Sequence, residues 1–424
     1  MRENTRWRAP VARVRRDASV LMAALVVLMM LVDGCARDDT PVEPRASAAT
    51  RADDATHRAD VAALVARGKK VFRFDSFDDD RFWTDTAKLN EVIEQAVSPA
   101  LALQVGLKVD ADALPAAVKD AILAGKVDLT SPATTVALLK LGAVVGVRGV
   151  VKTIEGRDRL VRVGITCALC HSTVDNSVAP GIGRRQDGWP NHDLNVGAII
   201  ALSPAVPEAQ KAVYRSWGPG MYDPRFNIDG KSTPLVIPPA YGLDGVSKET
   251  YTAEGPISYW NAYVAVTQMH AQGTFVDPRL GISIVKHPDF VTPILPALRA
   301  YQHSLAAPAP PPGSFDVAAA ERGRRVFTGD GRCASCHTGP HFTDVNEGIL
   351  HDPAETGMDP AYALRTVEKK YRTTPLRALW QHAPYFHDGS AATLVDVVEH
   401  YDRVLSLHLS ARQKTDLVEY LKSL

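Results

Sequence analysis

The sequence predicts a mainly α fold of two unequal halves, on three observations. The chain is 424 residues long, more than one ordinary hydrophobic core encloses. Ala306-Ala-Pro308-Ala-Pro310-Pro311-Pro312-Gly313 is a Pro-rich stretch that neither a helix interior nor a central strand tolerates, so it reads as a connector. Each side of that connector carries one Cys-X-X-Cys-His motif, Cys167-Ala-Leu-Cys170-His171 and Cys333-Ala-Ser-Cys336-His337. The expected plan is an N-terminal domain over residues 60–305, a linker over 306–314 and a C-terminal domain over 315–424.

The spacing of the motif has a chemical reason. Two thiols three positions apart add to the two vinyl groups of one porphyrin, and the imidazole that follows reaches the iron. Two copies predict two covalently bound haem c groups, attached at Cys167, Cys170, Cys333 and Cys336, with His171 and His337 as proximal ligands. A structural zinc site would place its cysteine pairs about 15–20 residues apart, whereas these pairs stand on opposite sides of the connector. A thioredoxin-type pair would need a βαβ pattern, and none is read here. The fold class is therefore two cytochrome c-like domains, each with one haem.

The chain begins with a basic segment and an apolar run from Val20 to Val32, too short to span a membrane comfortably. It ends in Leu31-Val32-Asp33-Gly34-Cys35, which resembles the lipobox of bacterial lipoproteins. Residues 1–34 are thus expected to be a lipoprotein-type signal peptide. A lipid on Cys35 would hold an exported bacterial protein on the periplasmic side, at the outer membrane. Residues 35–59 lack apolar periodicity and read as a disordered tether. Basic and acidic residues balance at 48 each, with no basic patch, so no nucleic-acid partner is expected.

Arg67-Gly68-Lys69-Lys70-Val71-Phe72 is echoed by Arg322-Gly323-Arg324-Arg325-Val326-Phe327, six residues before Cys333. In cytochrome c folds such a helix precedes the haem motif, so the first half is expected to carry an insertion over about 74–163. Leu89, Val92, Ile93, Ala96 and Val97 recur at helical spacing within it. Val136 to Val151 reads as a buried helix and turn, and the Gly-, Pro- and Asn-rich passage from His171 to Gly245 as loop around a haem. His192, Met221 and His270 are the candidate distal groups for the first iron, with an open sixth position as the alternative.

Pro375-Leu-Arg377, then Ala383-Pro384-Tyr385-Phe386-His387-Asp388-Gly389-Ser390, then Thr393-Leu394 and the helix through Val397, Val398 and Tyr401 resemble the C-terminal domain of the di-haem cytochrome c peroxidase superfamily. That superfamily includes bacterial peroxidases and the MauG-type enzyme. The last helix, Asp416 to Lys422, is similar to a closing cytochrome c helix. The resemblance implies a sixth ligand to the second iron one helix after His387, at Tyr401, with His400 and Met358 as alternatives. A tyrosine there matches the MauG type, where a phenolate favours ferric iron. His387 is assigned to the haem surroundings.

In the first half, Tyr259-Trp260-Asn261 is the nearest match to the family's Phe-Trp-Asp-Gly stretch. This suggests Trp260, ahead of Trp189, as the residue between the haems. The family's distal Gln falls near His270, flanked by Gln268 and Gln272, and a His there could exchange a proton with bound peroxide. The expected function is a di-haem oxidoreductase of the peroxidase type. One iron activates peroxide or dioxygen, and the other relays electrons from a small redox protein or a quinol-linked donor. The alternative is a non-catalytic di-haem electron-transfer cytochrome.

Overall fold

The computed structural model describes residues 48–424, with side chains from residue 57. The expected signal peptide, Cys35 and the tether as far as residue 47 lie outside the described residues. The end of the expected tether is helix instead: α1 runs over Ala48–Phe74. Alanines at 48, 49, 52 and 55 supply the helix propensity that a polar tether would lack. No helix among the described residues is long and apolar enough to cross a membrane.

Helix α1 crosses α7 (Leu295–Ser304), reached through α6 (Ile257–Tyr263). Beyond the connector, α8 (Val317–Thr328) crosses α10 (Ala411–Lys422), with α9 (Leu394–Val404) packed beside the latter. The starts of these helices are written in side chains. Asp316 caps α8 by accepting from the Ala319 N–H, and Thr393/Asp396 and Ser410/Gln413 form capping boxes on α9 and α10.

The two crossings are copies of one another. A side-chain carbon at Gly68 would strike the Ala297 carbonyl and the Tyr301 Cβ, and one at Gly323 would strike the Asp416 carbonyl and the Tyr420 Cβ. Glycine is therefore what lets each pair of backbones touch. One turn on, Phe72 meets Tyr301 edge-on at 5.5 Å between ring centroids, and Phe327 meets Tyr420 at 5.2 Å. The six-residue echo is thus a repeat of structure. Residues Asp54–Leu424 nonetheless form one compact unit, so the halves are lobes of a single body.

The fold is more mixed than the mainly α class expected. Among the described residues, five two-stranded sheets accompany the helices. The insertion holds α2 (Leu89–Ala96), α3 (Pro99–Gln104), α4 (Ala116–Leu123) and α5 (Pro132–Lys140). It also holds an antiparallel hairpin, β1 (Val147–Ile154) and β2 (Arg157–Ile165). The helix expected through Val151 stops at Lys140. Gly142 and Gly146 take positive φ, and Val147, Gly149 and Val151 alternate in burial with exposed neighbours, a period of two that suits a strand. The hairpin closes through Glu155 (φ +52°) and Gly156 (φ +75°), the two left-handed residues that its twist favours. The passage expected to be loop after His171 also includes a nine-residue helix, Glu208–Ser216.

Candidate haem sites

The first motif hangs from the end of β2. The Thr166 N–H donates to the Gly146 carbonyl at 3.0 Å, and a helical turn over Ala168–His171 follows. Gly146, with φ +75°, leaves room for the Leu169 backbone that any side chain would strike. His171 Nδ1 lies 3.0 Å from the Pro238 carbonyl, which fixes the proton on Nδ1 and leaves the Nε2 lone pair free for a metal. Burial pushes this imidazole down to about 4, so it is neutral, the form that binds a metal.

The second motif repeats the arrangement. His337 Nδ1 lies 3.0 Å from the Phe342 carbonyl, and burial lowers its pKa against the pull of that carbonyl. The four motif thiols are all free of disulfides. Burial pushes Cys167 and Cys170 up to about 12 and Cys333 up to about 11. Each half therefore carries the donor set of a c-type haem: two adjacent free thiols and an imidazole whose far nitrogen is pinned by a carbonyl. Cys336 also lies with Asp344 and His351, their ligand atoms within 4.8 Å of one another. His351 is held there by Asp344 at 2.9 Å and Glu355 at 3.0 Å.

Of the residues suggested for the second iron, Tyr401 is the one turned to the thiols. Burial raises its pKa, and the neighbouring Cys333 and Cys336 raise it further. Among the described residues its hydroxyl has no hydrogen-bond partner. A ferric ion bound to that hydroxyl would supply the positive charge that a buried phenolate needs. His400 is committed elsewhere, its Nε2 being 2.8 Å from the Thr356 carbonyl. Met358 is half-buried in that same loop, next to Gly357, which packs on His400.

His387 is buried, with Nε2 3.0 Å from the Tyr371 hydroxyl. Its carbonyl accepts the Val236 N–H at 2.8 Å, two residues before the Pro238 carbonyl that orients His171. The Pro-Tyr-Phe-His segment of the second lobe thus holds Val236, two residues before the carbonyl that meets the His171 imidazole.

On the first lobe, a cavity of about 210 Å3 is bordered by Phe82, Trp83, Tyr222, Gln268 and His270. Tyr222 packs in the same apolar cluster as Cys170. Its hydroxyl donates to Gln268 Oε1 at 2.6 Å, and Gln268 Nε2 donates to Asn227 Oδ1 at 3.0 Å. The His270 ring stacks on Phe82 at 3.6 Å, its backbone at φ +63°. Burial, then Lys286, pushes His270 down to about 4. Of the other distal candidates, His192 is occupied by the Ile237 carbonyl at 3.2 Å, and Met221 begins a short strand paired with Val236.

Gln268 and Tyr222 were not singled out as site residues by sequence. A π-helical turn over Val264–Gln268 interrupts the helix that begins with α6, so an offset counted from Trp260 reaches His270 at the cavity's edge and passes over Gln268, which lines the same cavity. Trp260 is buried with its Nε1 unpartnered, and Arg225 lies between it and Tyr362 of the second lobe. Trp189 instead touches the second lobe directly, 5.7 Å from Trp380.

Two Cys-X-X-Cys-His motifs, each with two free thiols and a carbonyl-pinned imidazole, are donor sets of the kind that hold a c-type haem. Over about a quarter of its length, the chain is similar in sequence to MauG and to di-haem cytochrome-c peroxidases. It is 30% identical over 129 residues to the methylamine utilization protein MauG of Methylorubrum extorquens, covering 25% of this chain and 34% of that one. It is 31% identical over 150 residues to the cytochrome-c peroxidase IdrP2 of Denitromonas iodatirespirans, covering 26% and 41%. The chain therefore spans about a third to two-fifths of the length of these curated relatives. No family model matches. A solved MauG-like protein associated with microbial copper homeostasis aligns at 20% identity with a TM-score of 0.33, over 46% of this chain and 74% of that one.

Proposed function

We propose that the chain is an exported di-haem c-type oxidoreductase of the peroxidase type. Cys167, Cys170 and His171 would hold a haem whose chemistry would be reaction with peroxide or dioxygen, and Cys333, Cys336 and His337 would hold one that would relay electrons from a small redox protein or a quinol-linked donor. The observation that carries this reading is the asymmetry of the two sites. The first motif adjoins a cavity edged by Gln268, Tyr222 and a neutral imidazole, whereas the second faces the unpartnered hydroxyl of Tyr401. Partial similarity to MauG and to cytochrome-c peroxidases supports the same class.

When bound, haem supplies the redox-active iron at which peroxide is reduced. The chain's own residues prepare the reactants. His270, neutral at physiological pH, is suited to take a proton from peroxide on an imidazole nitrogen and return it to the departing oxygen. Gln268, its orientation set by Tyr222 and Asn227, orients the oxidant, and the rings of Phe82 and Trp83 exclude water. Tyr401 would be the ligand that favours a ferric second iron, and Trp260, ahead of Trp189, would be the residue through which electrons pass between the lobes. A lipid on Cys35 is the proposed anchor on the periplasmic face of the outer membrane.

Electron paramagnetic resonance of the oxidised holoprotein, before and after peroxide, tests the reading. The expected result is one high-spin and one low-spin ferric haem, with the high-spin signal consumed by peroxide. Two low-spin signals indifferent to peroxide, in the oxidised and the half-reduced protein alike, would replace this reading with that of an electron carrier.

A further inference from the structure

The helices of the insertion do not close on one another. Together with β1 they leave a second cavity, of about 150 Å3, whose walls include Ile93, Leu103, Val118, Ile122, Leu138 and Val144. The one charged residue at its edge, Lys108, turns its ammonium away to Asp193. Three apolar clusters meet around this space, linked at its wall by Leu138 and Val147. Ile93 and Val144 belong to the first, Leu103 and Ile122 to the second, and Leu107 and Val147 to the third.

Helix α4 covers the cavity. Val118 and Ile122 line the space, yet no residue of α4 is buried. The helix rests on a void where a core would give it side chains to touch, and its apolar face forgoes the dispersion contacts that normally hold a helix down. A cavity of this bulk with carbon walls stays dry and accepts a benzene-sized molecule or xenon.

Its position ties it to the chemistry. Leu107 and Val147, on the cavity wall, pack in the same cluster as Leu169 and Cys170 of the first motif. We infer that the insertion is a binding chamber for one small, neutral, apolar molecule of about the bulk of a benzene ring, held a layer of side chains away from the first Cys-X-X-Cys-His motif. The inference rests on the cavity's walls and place alone and stands whichever oxidant the haem uses.

Thermal unfolding of the holoprotein in rising benzene, with xenon-pressurised crystals alongside, tests it. Benzene is expected to raise Tm saturably, by about 2–5 °C at roughly a hundredfold excess over Kd. Xenon density is expected between α4 and α5. Benzoate, with the same ring and a charge, is expected to leave Tm unchanged. Ala102→Leu and Val118→Phe fill the space and should abolish the benzene shift and the xenon density. Should Ala102→Leu fail to fold, Val118→Phe decides alone, because α4 carries no buried residue. A wild-type Tm indifferent to benzene with no xenon density, or a benzene shift of equal size in the filled variant, would overturn the inference.

Discussion

A single hydroxyl separates two chemistries at the second iron. If Tyr401 ligates it, Tyr401→Phe removes a phenolate that favours the ferric state, so the reduction potential of that haem should rise and its visible spectrum shift. A spectroelectrochemical titration that finds one haem moved and the other unchanged is the expected outcome. On the first lobe, His270→Phe should slow the reaction with peroxide by about 10²–10⁴-fold, measured by stopped flow, with little change in haem content. Asp79 gives a pH test. It is fully buried, accepts the Ile165 N–H, and burial raises its pKa to about 9. Folded, it keeps its proton to about pH 9; unfolded, it loses it near 3.8, its ordinary value. Unfolding therefore releases a proton across that window, and stability falls as pH rises through it. Asp79→Asn should flatten that slope in urea titrations between pH 5 and pH 8. The four thiols and the two motif imidazoles were legible in the sequence, because they lie within five consecutive residues whose spacing is itself the signal. Gln268 and Tyr222 were not, because a π-turn and a contact across 46 residues place them.

At the scale of elements, the helix crossings carry each lobe. Gly68→Ala and Gly323→Ala drive a methyl group into a carbonyl of the facing helix, so each should cost about 1–3 kcal/mol or more, as overpacking does. Chemical denaturation of the two variants should give losses of similar size, since the geometries match. The repeat was readable as six residues of sequence, but its partner helices were not, because α7 and α10 share little beyond Tyr301 and Tyr420 at the contact. The first strand of the hairpin, as far as Val151, was read as part of a buried helix and turn. Its apolar run is short, and the hairpin's turn, Glu155-Gly156, lacks the Asn-Gly or Asp-Gly pair that announces a tight hairpin.

At the scale of the molecule, the lobes are joined by charge taken out of water. Arg365 bridges Asp223 and Asp229 at 2.8 Å each, with the side chains of Arg365 and Asp223 only 3% and 0% exposed. Arg225 pairs with Glu254 and reaches Tyr362 across the same seam. Arg365→Ala would leave the Asp223 carboxylate buried and unpaired, a loss of about 3–5 kcal/mol. A urea transition at lower concentration is expected, together with a change at the first haem. That haem responds because the seam also carries the His387 to Val236 hydrogen bond behind Pro238 and His171.

The sequence by itself determined the donor chemistry: two Cys-X-X-Cys-His motifs, a Pro-rich connector and the two copies of the opening helix. These features are local, and local spacing is what covalent attachment and backbone sterics constrain. Only the tertiary structure decided which side chains face the motifs. It turned Tyr401 toward the thiols and tied His400 away, brought Gln268 to Tyr222, and joined Val236 to the His387 carbonyl. It also left the insertion hollow. Each of these depends on contacts between residues far apart in the chain, whose cost in chain entropy is met only when the whole unit folds.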